Sequence, residues 1–262
     1  MKEAPETADE NLKHCPFEYG NETLSGNEIF AIRDKESSKN GTGWKTRVVP
    51  NLYNALSVEA QKDNRRIGFF ERRDGLGAHE VIIETPNHYA RIDQYSQDEF
   101  ENYIKTIMAR INDLERDTRL EYIQVFKNSG KYAGASVSHP HSQILATPFI
   151  PKEIKERLVI QKEYFEKHGR SLIGDLAKAM QVIFKRLHRE LGDFPFNMLF
   201  FNMPPMSAQN DPDFFYKMDD YYRFHINITP RIYHLAGFEI STGMQINPVP
   251  PELAASRLRE ES

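Results

Sequence analysis

Residues 136–148, SVSHPHSQILATP, carry His139, His141 and Gln143 at every second position. Because successive side chains of a β-strand point to opposite faces of the sheet, residues two apart lie on the same face. The alternation therefore predicts a strand that has two imidazoles and an amide on one face. The opposite face is small or apolar, with Ser142, Ile144 and Ala146.

Two histidines on one strand face can have different roles, one structural and the other chemical. A neutral imidazole can bind zinc, act as a base or attack an electrophile directly. Segment 127–136, KNSGKYAGAS, contains two glycines, and exposed backbone N–H groups in such a loop suit phosphate oxygens. The same histidine spacing also fits a hydrogen-bonded pair at a solvated strand edge, so the pattern alone leaves both interpretations open.

The hydrophobic periodicity predicts a mixed α+β fold around antiparallel sheet. Ser96 and Glu99 form a capping-box pattern ahead of apolar residues at helical spacing, which predicts a helix over 97–115. Proline near its first turn favours a helix over 151–169, and Leu176 to Leu191 have helical spacing. Strands are expected at 79–86, 120–126, 136–148, 196–201 and 221–232.

Composition limits the classes of partner that this chain can have. Its 262 residues are 39% hydrophobic, with a net charge of −4 and scattered basic residues, so we expect a buried core and no nucleic-acid-binding face. No apolar run approaches the roughly 20 residues that span a bilayer, and the acidic, polar residues 1–14 resemble no secretory signal. The single cysteine, Cys15, excludes an internal disulfide framework. We therefore expect a cytoplasmic protein with no membrane partner.

Several longer segments carry a family resemblance. They are CPFEYGNE, GWKTRVVPNLYNAL, GAHEVIIETPNH, FKNSGKYAGASVSHPHSQILATPFIP and the stretch from YYRFHINITPRI through GFEISTGMQIN to NPVPPELAASRLRE. Together they resemble the galactose-1-phosphate uridylyltransferase family of the histidine-triad superfamily, which includes ADP-glucose phosphorylase relatives. The resemblance implies histidine-triad-like antiparallel sheets with flanking helices, arranged as two half-domains.

The expected domain division follows from this resemblance. Residues 1–14 are expected to form a flexible lead-in, residues 15–150 the half that carries the nucleophile, and residues 151–262 the second half. Between HGRSLIGD and LAKAMQVIF the sequence passes directly from helix to helix. A strand-rich block of the family is therefore expected to be missing, which shortens the second half.

The resemblance implies that His141 and Gln143 are the catalytic residues. His141 would attack the α-phosphorus of a nucleotide sugar to form a nucleotidyl-histidine. Gln143 can donate an N–H to a phosphoryl oxygen but cannot shuttle a proton at neutral pH, which favours transfer over hydrolysis. The expected activity is that of a UDP-glucose–hexose-1-phosphate uridylyltransferase of galactose metabolism. The alternatives are an ADP-glucose phosphorylase, which the PNLY segment resembles more, and a catalytically weak nucleotide-binding homologue.

The resemblance also implies a set of substrate-binding residues and a homodimer. Arg47 and Asn51 match a segment that lines the base and ribose pocket, and Asn128 and Ser136 match positions that hold the nucleotide phosphates. Other residues, in the AGFE segment, would complete the sugar-phosphate site of the partner subunit: Phe238 and Glu239.

A structural zinc site is implied at Cys15, Glu18, His88 and His139. Glu18 stands where the family has a second cysteine, and a carboxylate can also bind zinc. The ligand types are compatible with iron as well. Glu18 could instead be a solvated acid beside a degenerate site, and the sequence leaves that alternative open.

Overall fold

The computed structural model describes residues 12–60, 64–67, 70–73, 75–159, 176–204, 222, 224–232, 237–244 and 249–259. A seven-stranded sheet, antiparallel throughout, runs in the order β1-β2-β5-β7-β6-β8-β9, and β3 and β4 form a separate antiparallel pair. The strands are β1 (Phe30–Arg33), β2 (Trp44–Pro50), β3 (Asn64–Ile67), β4 (Phe70–Arg73), β5 (Ala78–Ile83), β6 (Tyr122–Ser129), β7 (His141–Thr147), β8 (Phe196–Phe201) and β9 (His225–Pro230). The predicted α+β class with antiparallel sheet is confirmed.

The helices described over their full length are α1 (Gln97–Leu114), α2 (Leu176–Leu191), α3 (Gly237–Thr242) and α4 (Pro251–Arg259). Residues 152–159 are also helical, and the rest of the predicted helix over 151–169 lies outside the described residues. The capping box of α1 is present, because the Ser96 side chain accepts from the Glu99 N–H and the Glu99 side chain accepts from the Ser96 N–H. Among the described residues, none of the helices is both long and apolar enough to cross a membrane.

The two faces of the sheet have different coverings. On one face, α1 and α2 pack against alternate strand residues to form the main core, and each large apolar side chain buried there contributes about 1.5–3 kcal/mol. Its members include Phe100, Tyr103, Ile107, Ile123, Val125, Ile144, Phe184, Met198 and Phe200. On the other face, Phe17 of the N-terminal segment packs on Trp44, Val49, Val81 and Ile83. The polar face of β7 lies beside this second cluster.

Strand β7 starts later than predicted. It begins at His141, so the prediction that the strand starts at Ser136 and includes His139 is wrong. Pro140 has no N–H to donate to a ladder, while its carbonyl accepts from the Glu84 N–H at 3.2 Å. The predicted common strand face therefore holds for His141 and Gln143 only.

Strands β1 to β4 were not predicted. In β2 the pattern from Trp44 to Pro50 is buried at five of seven positions, so it shows no alternation that a periodicity argument could detect. Strand β8 pairs with β6 and thereby continues the sheet across residue 150. The division into halves at this residue stays a prediction. A strand block is expected to be missing between HGRSLIGD and LAKAMQVIF, and HGRSLIGD, residues 168–175, lies outside the described residues.

Candidate functional site

The four predicted metal ligands converge from three separate parts of the chain. Cys15 and Glu18 lie in a tight turn, in which the Glu18 N–H donates to the Cys15 carbonyl at 3.3 Å. His88 follows β5, and His139 precedes β7. One potential ligand atom from each of the four residues lies within 4.8 Å of the others. The fold thus assembles the set that the sequence resemblance implied.

Hydrogen bonds fix the direction in which the imidazole of His139 faces this cluster. Its Nε2 lies 2.8 Å from the Thr85 carbonyl. Because a carbonyl can only accept, Nε2 carries the proton and Nδ1 keeps its lone pair. Burial lowers the pKa of His139 to about 4, so the imidazole is in the neutral form that binds metals.

The spacing of the two imidazole nitrogens and the carboxylate oxygen is close to that of ligands in a tetrahedral metal site. The Nδ1 atoms of His139 and His88 are 3.3 Å apart. Glu18 Oε2 lies 2.9 Å from the Nδ1 of His88 and 3.7 Å from that of His139. Ligands at about 2.0–2.1 Å from a tetrahedral zinc ion would be about 3.4 Å apart. The His88 Nε2 lies 3.1 Å from Ser138 Oγ, so both imidazoles also have the outer partner that metal-binding histidines usually have.

His141 presents a free nitrogen to a cleft. Its Nδ1 lies 2.8 Å from the backbone carbonyl of His139 and must donate to it, so the lone pair is on Nε2. Among the described residues Nε2 has no hydrogen-bond partner, and the side chain lines a cleft of about 800 Å³. Burial lowers the pKa of His141, and the charge of Lys127 lowers it further. These features favour a neutral imidazole with an available nucleophilic nitrogen.

A buried polar network supports His141 from the helix-covered face of the sheet. Lys127 Nζ donates to both carboxylate oxygens of Glu84, at 2.9 and 3.0 Å, and to the His141 carbonyl at 3.2 Å. Glu84 also accepts from Ser142 Oγ at 2.5 Å and from the Tyr95 hydroxyl at 2.8 Å. Sequence reasoning missed Lys127 and Glu84. Each is a charged residue at the end of an apolar strand segment, and this was a signal that could have been used. Such residues are rarely fully buried without a partner, so two of them could have been expected to pair.

Gln143 lies on the same face of β7 as His141 but is not among the residues that line this cleft. Its Oε1 lies 2.9 Å from His79 Nε2 and 3.3 Å from Asn51 Nδ2. The structure therefore brings Gln143 and Asn51 together. Sequence reasoning missed His79, whose position two residues before Val81 on β5 places it diagonally across from Gln143.

The predicted phosphate-binding residues line the cleft. Asn128 is at the end of β6, where its Oδ1 accepts from Asn197 Nδ2 at 2.9 Å, and Ser136 is exposed on the loop that follows. Sequence reasoning missed several basic side chains around the same cleft, because they are far apart along the chain. They are His14, Arg91, Lys127, Lys131 and His188. Two of them are already paired, Arg91 with Asp93 and Asp193 and Lys127 with Glu84, and both aspartates also line the cleft, so its net positive charge is small.

Arg47 lies away from this cleft. Its side chain is 1% exposed, it donates to Ser25 Oγ at 2.6 Å and to the Glu22 carbonyl at 3.1 Å, and it pairs with Glu28 at 3.4 Å. The guanidinium therefore ties the N-terminal segment to β2, and contact with a nucleotide stays a prediction that these bonds do not favour.

The two residues predicted to complete the partner's site lie in α3. The Phe238 side chain is outside the described residues, and Glu239 is half-buried and does not line the cleft. Their role in the site of a partner subunit stays a prediction.

One family model and two related proteins match this chain. Residues 32–151 match the family model described as galactose-1-phosphate uridyl transferase, N-terminal domain. An ADP-glucose phosphorylase of Arabidopsis thaliana is 28% identical, across 99% of this chain and 85% of the relative. A galactose-1-phosphate uridylyltransferase of Thermotoga maritima is 26% identical, across 80% of this chain and 82% of the relative.

Solved structures share the fold over nearly the whole chain. The crystal structure of an ADP-glucose phosphorylase from Arabidopsis thaliana with bound ADP-glucose has a TM-score of 0.79 at 27% identity, covering 95% of this chain and 90% of that one. A structure of a uridylyltransferase has a TM-score of 0.73 at 19% identity, covering 98% of this chain and 93% of that one. The second similarity shows the fold alone.

Proposed function

We propose that this chain, as a member of the galactose-1-phosphate uridylyltransferase family in the wide sense that includes ADP-glucose phosphorylases, transfers a nucleoside monophosphate through a covalent nucleotidyl-His141 intermediate. The observation that carries the proposal is the His141 side chain. Its Nδ1–H is held by the His139 carbonyl, so the lone pair of Nε2 is available at the cleft.

The proposed reaction consists of two displacements at the same phosphorus. In the first, the Nε2 lone pair of His141 forms a bond to the α-phosphorus, and the bond from that phosphorus to the bridging oxygen breaks, so hexose 1-phosphate leaves with the electron pair. In the second, a phosphate oxygen of the acceptor attacks the same phosphorus, and the electron pair of the N–P bond returns to Nε2. The acceptor is already an anion, so no base is required.

We propose ADP-glucose as the donor and inorganic phosphate as the acceptor. The support is the ADP-glucose phosphorylase relative, whose match extends over 99% of this chain, and the similar solved structure that contains ADP-glucose. The second candidate is UDP-glucose with galactose 1-phosphate as the acceptor. The uridylyltransferase of Thermotoga maritima supports that candidate across 80% of the chain. Both candidates share the first displacement and differ in the base and in the acceptor.

A two-step labelling experiment separates these candidates. The protein is incubated with ADP-glucose or with UDP-glucose in the absence of an acceptor, and the adduct is identified by intact mass and peptide mapping. We expect an adenylyl adduct on His141. The isolated adduct is then exposed to inorganic phosphate, galactose 1-phosphate or buffer, and we expect phosphate to discharge it as ADP, with water reacting far more slowly.

Each outcome of this experiment has a definite meaning. A uridylyl adduct discharged by galactose 1-phosphate would support the second candidate instead. No adduct with either donor, from protein that binds both nucleotide sugars by calorimetry, would contradict the covalent proposal and favour a nucleotide-binding homologue.

We propose that Cys15, Glu18, His88 and His139 hold a structural zinc ion. Two buried imidazoles, a thiol and a carboxylate supply the four donors that a tetrahedral zinc site needs. A bound cation would fix the turn of residues 15–18 against the loop that precedes His141. Phe17 of that turn already packs against the His141 ring, with the ring centres 5.3 Å apart. The chain's own residues thus connect this cluster to the nucleophile.

Substitution of a proposed ligand is expected to lower the zinc content of the protein. Protein produced with added zinc should contain about one equivalent by elemental analysis, whereas His139→Ala and Cys15→Ser should contain far less. Glu18→Ala should bind zinc at least about tenfold more weakly, because it removes one of four ligands. The control is Glu36→Ala, which removes an exposed acid outside the cluster. Metal-free protein that is fully active would contradict the zinc proposal.

A further inference from the structure

In the loop that follows β2, two backbone N–H groups donate to the side chains of Asn51 and His79, which both contact Gln143. The Tyr53 N–H donates to Asn51 Oδ1 at 2.9 Å. The Ala55 N–H donates to His79 Nδ1 at 3.1 Å. A backbone N–H can only donate, so these two bonds decide which atom of each side chain is the acceptor.

The remaining atoms of His79 and Asn51 are thereby fixed as donors. Because Nδ1 of His79 accepts, its proton is on Nε2, which lies 2.9 Å from Gln143 Oε1. Because Oδ1 of Asn51 accepts, its amino group is the atom that lies 3.3 Å from the same oxygen. The two donors are 3.0 Å apart, and both can bond to one oxygen, since a carbonyl oxygen has two lone pairs.

This arrangement settles the orientation of the Gln143 amide, which is otherwise ambiguous by a 180° flip. With Oε1 held by two donors, the amino group of Gln143 must point away from them. It has no acceptor within the described part of the chain, and the side chain is half-buried on the strand face that also carries His141. The Gln143 amino group is therefore free to donate to a ligand.

We infer that His79 and Asn51 are positioning residues that keep the N–H donors of the Gln143 amide available to a phosphate attached to His141, which lies two residues away on the same face of β7. This inference rests on the proposed function. A flipped amide would present its oxygen to a phosphoryl oxygen, replacing attraction with repulsion. Loss of one preorganised donor at a reacting centre costs about 10²–10³ in rate, so orientation of the amide has a measurable effect.

Four variants test the inference through the single-turnover rate of adduct formation with ADP-glucose, or with UDP-glucose if that donor labels the wild type. Gln143→Ala is expected to lower this rate about 100-fold. His79→Leu removes one donor and is expected to lower it about tenfold. His79→Gln, whose amide can replace the Nε2 donor, is expected to recover most of the rate. Asn51→Asp keeps the Oδ1 acceptor but places an acceptor opposite Gln143 Oε1, and is expected to lower the rate at least tenfold.

The decisive measurement repeats His79→Leu and Asn51→Asp in the Gln143→Ala background. If both residues act through the amide, neither substitution should lower the rate further in Gln143→Ala protein. A general effect on folding, or repulsion between the introduced carboxylate and the nucleotide, would persist in that background. Persistence of the full loss in that background would overturn the inference, as would an unchanged rate in His79→Leu and Asn51→Asp proteins that unfold like the wild type. Absence of an adduct in the wild type would instead contradict the proposed function itself.

Discussion

Replacing His141 with asparagine is expected to abolish the nucleotidyl adduct while leaving the fold intact. Asparagine can still place an amide N–H near the position of Nδ1, so the hydrogen bond to the His139 carbonyl can be kept. It has no atom in the position of Nε2, and therefore no nucleophile. Loss of the nucleophile in covalent catalysis lowers the rate by at least about 10⁴-fold.

The measurement is the single-turnover rate of adduct formation, with thermal unfolding as the check on the fold. A matched control is His225→Asn, which changes a half-buried histidine on β9 that does not line the cleft. That control should form the adduct at nearly the wild-type rate. An adduct that persists in His141→Asn protein and maps to another residue would show that His141 is not the nucleophile.

Lys127→Met is expected to lower the free energy of unfolding by about 3–5 kcal/mol, more than any other substitution proposed for this protein. The side chains of Lys127 and Glu84 are 5% and 0% exposed, so removing the ammonium leaves a carboxylate buried without its cation. The same change removes the donor to the His141 carbonyl, and we expect adduct formation to slow as the start of β7 loosens. Urea unfolding measures the first effect, and the labelling assay measures the second.

Two further variants distinguish the loss of the buried Lys127–Glu84 pair from the loss of an ion pair in general. The double variant Lys127→Met with Glu84→Gln should recover much of the lost stability, because it removes the isolated charge and keeps an acceptor for Tyr95. Lys105→Met breaks an exposed pair with Glu101 on α1, whose side chains are 61% and 42% exposed. That control should change stability by less than about 1 kcal/mol. Equal losses in Lys127→Met and Lys105→Met would contradict the assigned role of the buried network.

Local periodicity predicted the elements whose signals lie within a few residues. The capping box of Ser96 and Glu99 fixed the start of α1, and the alternation after His141 correctly placed Ile144 in the core and Gln143 on the opposite face. Prediction failed at β2, where five of seven residues are buried and no alternation exists. It also failed at His139, because the proline that follows this residue ends the ladder before the histidine is reached.

The site shows the same division between local and long-range information. Resemblance to a family identified His141 and the four potential metal ligands, and the structure assembles those ligands into one cluster. Neither periodicity nor resemblance indicated His79 or Lys127. Their roles depend on which side chains meet across β5, β6 and β7, and strand pairing between segments more than 40 residues apart leaves no local pattern.

By itself, the sequence determined the α+β class, helices α1 and α2 and strands β5 to β9, because these features depend on residue type and short spacing. The role of His141 came from resemblance to a family and stays a proposal. Only the tertiary structure decided the histidine tautomers and the side-chain orientations. The His139 carbonyl leaves the lone pair of His141 on Nε2, and the Ala55 N–H sets the tautomer of His79, which in turn orients Gln143. A hydrogen bond has a direction, and that direction exists only once distant segments have been brought together.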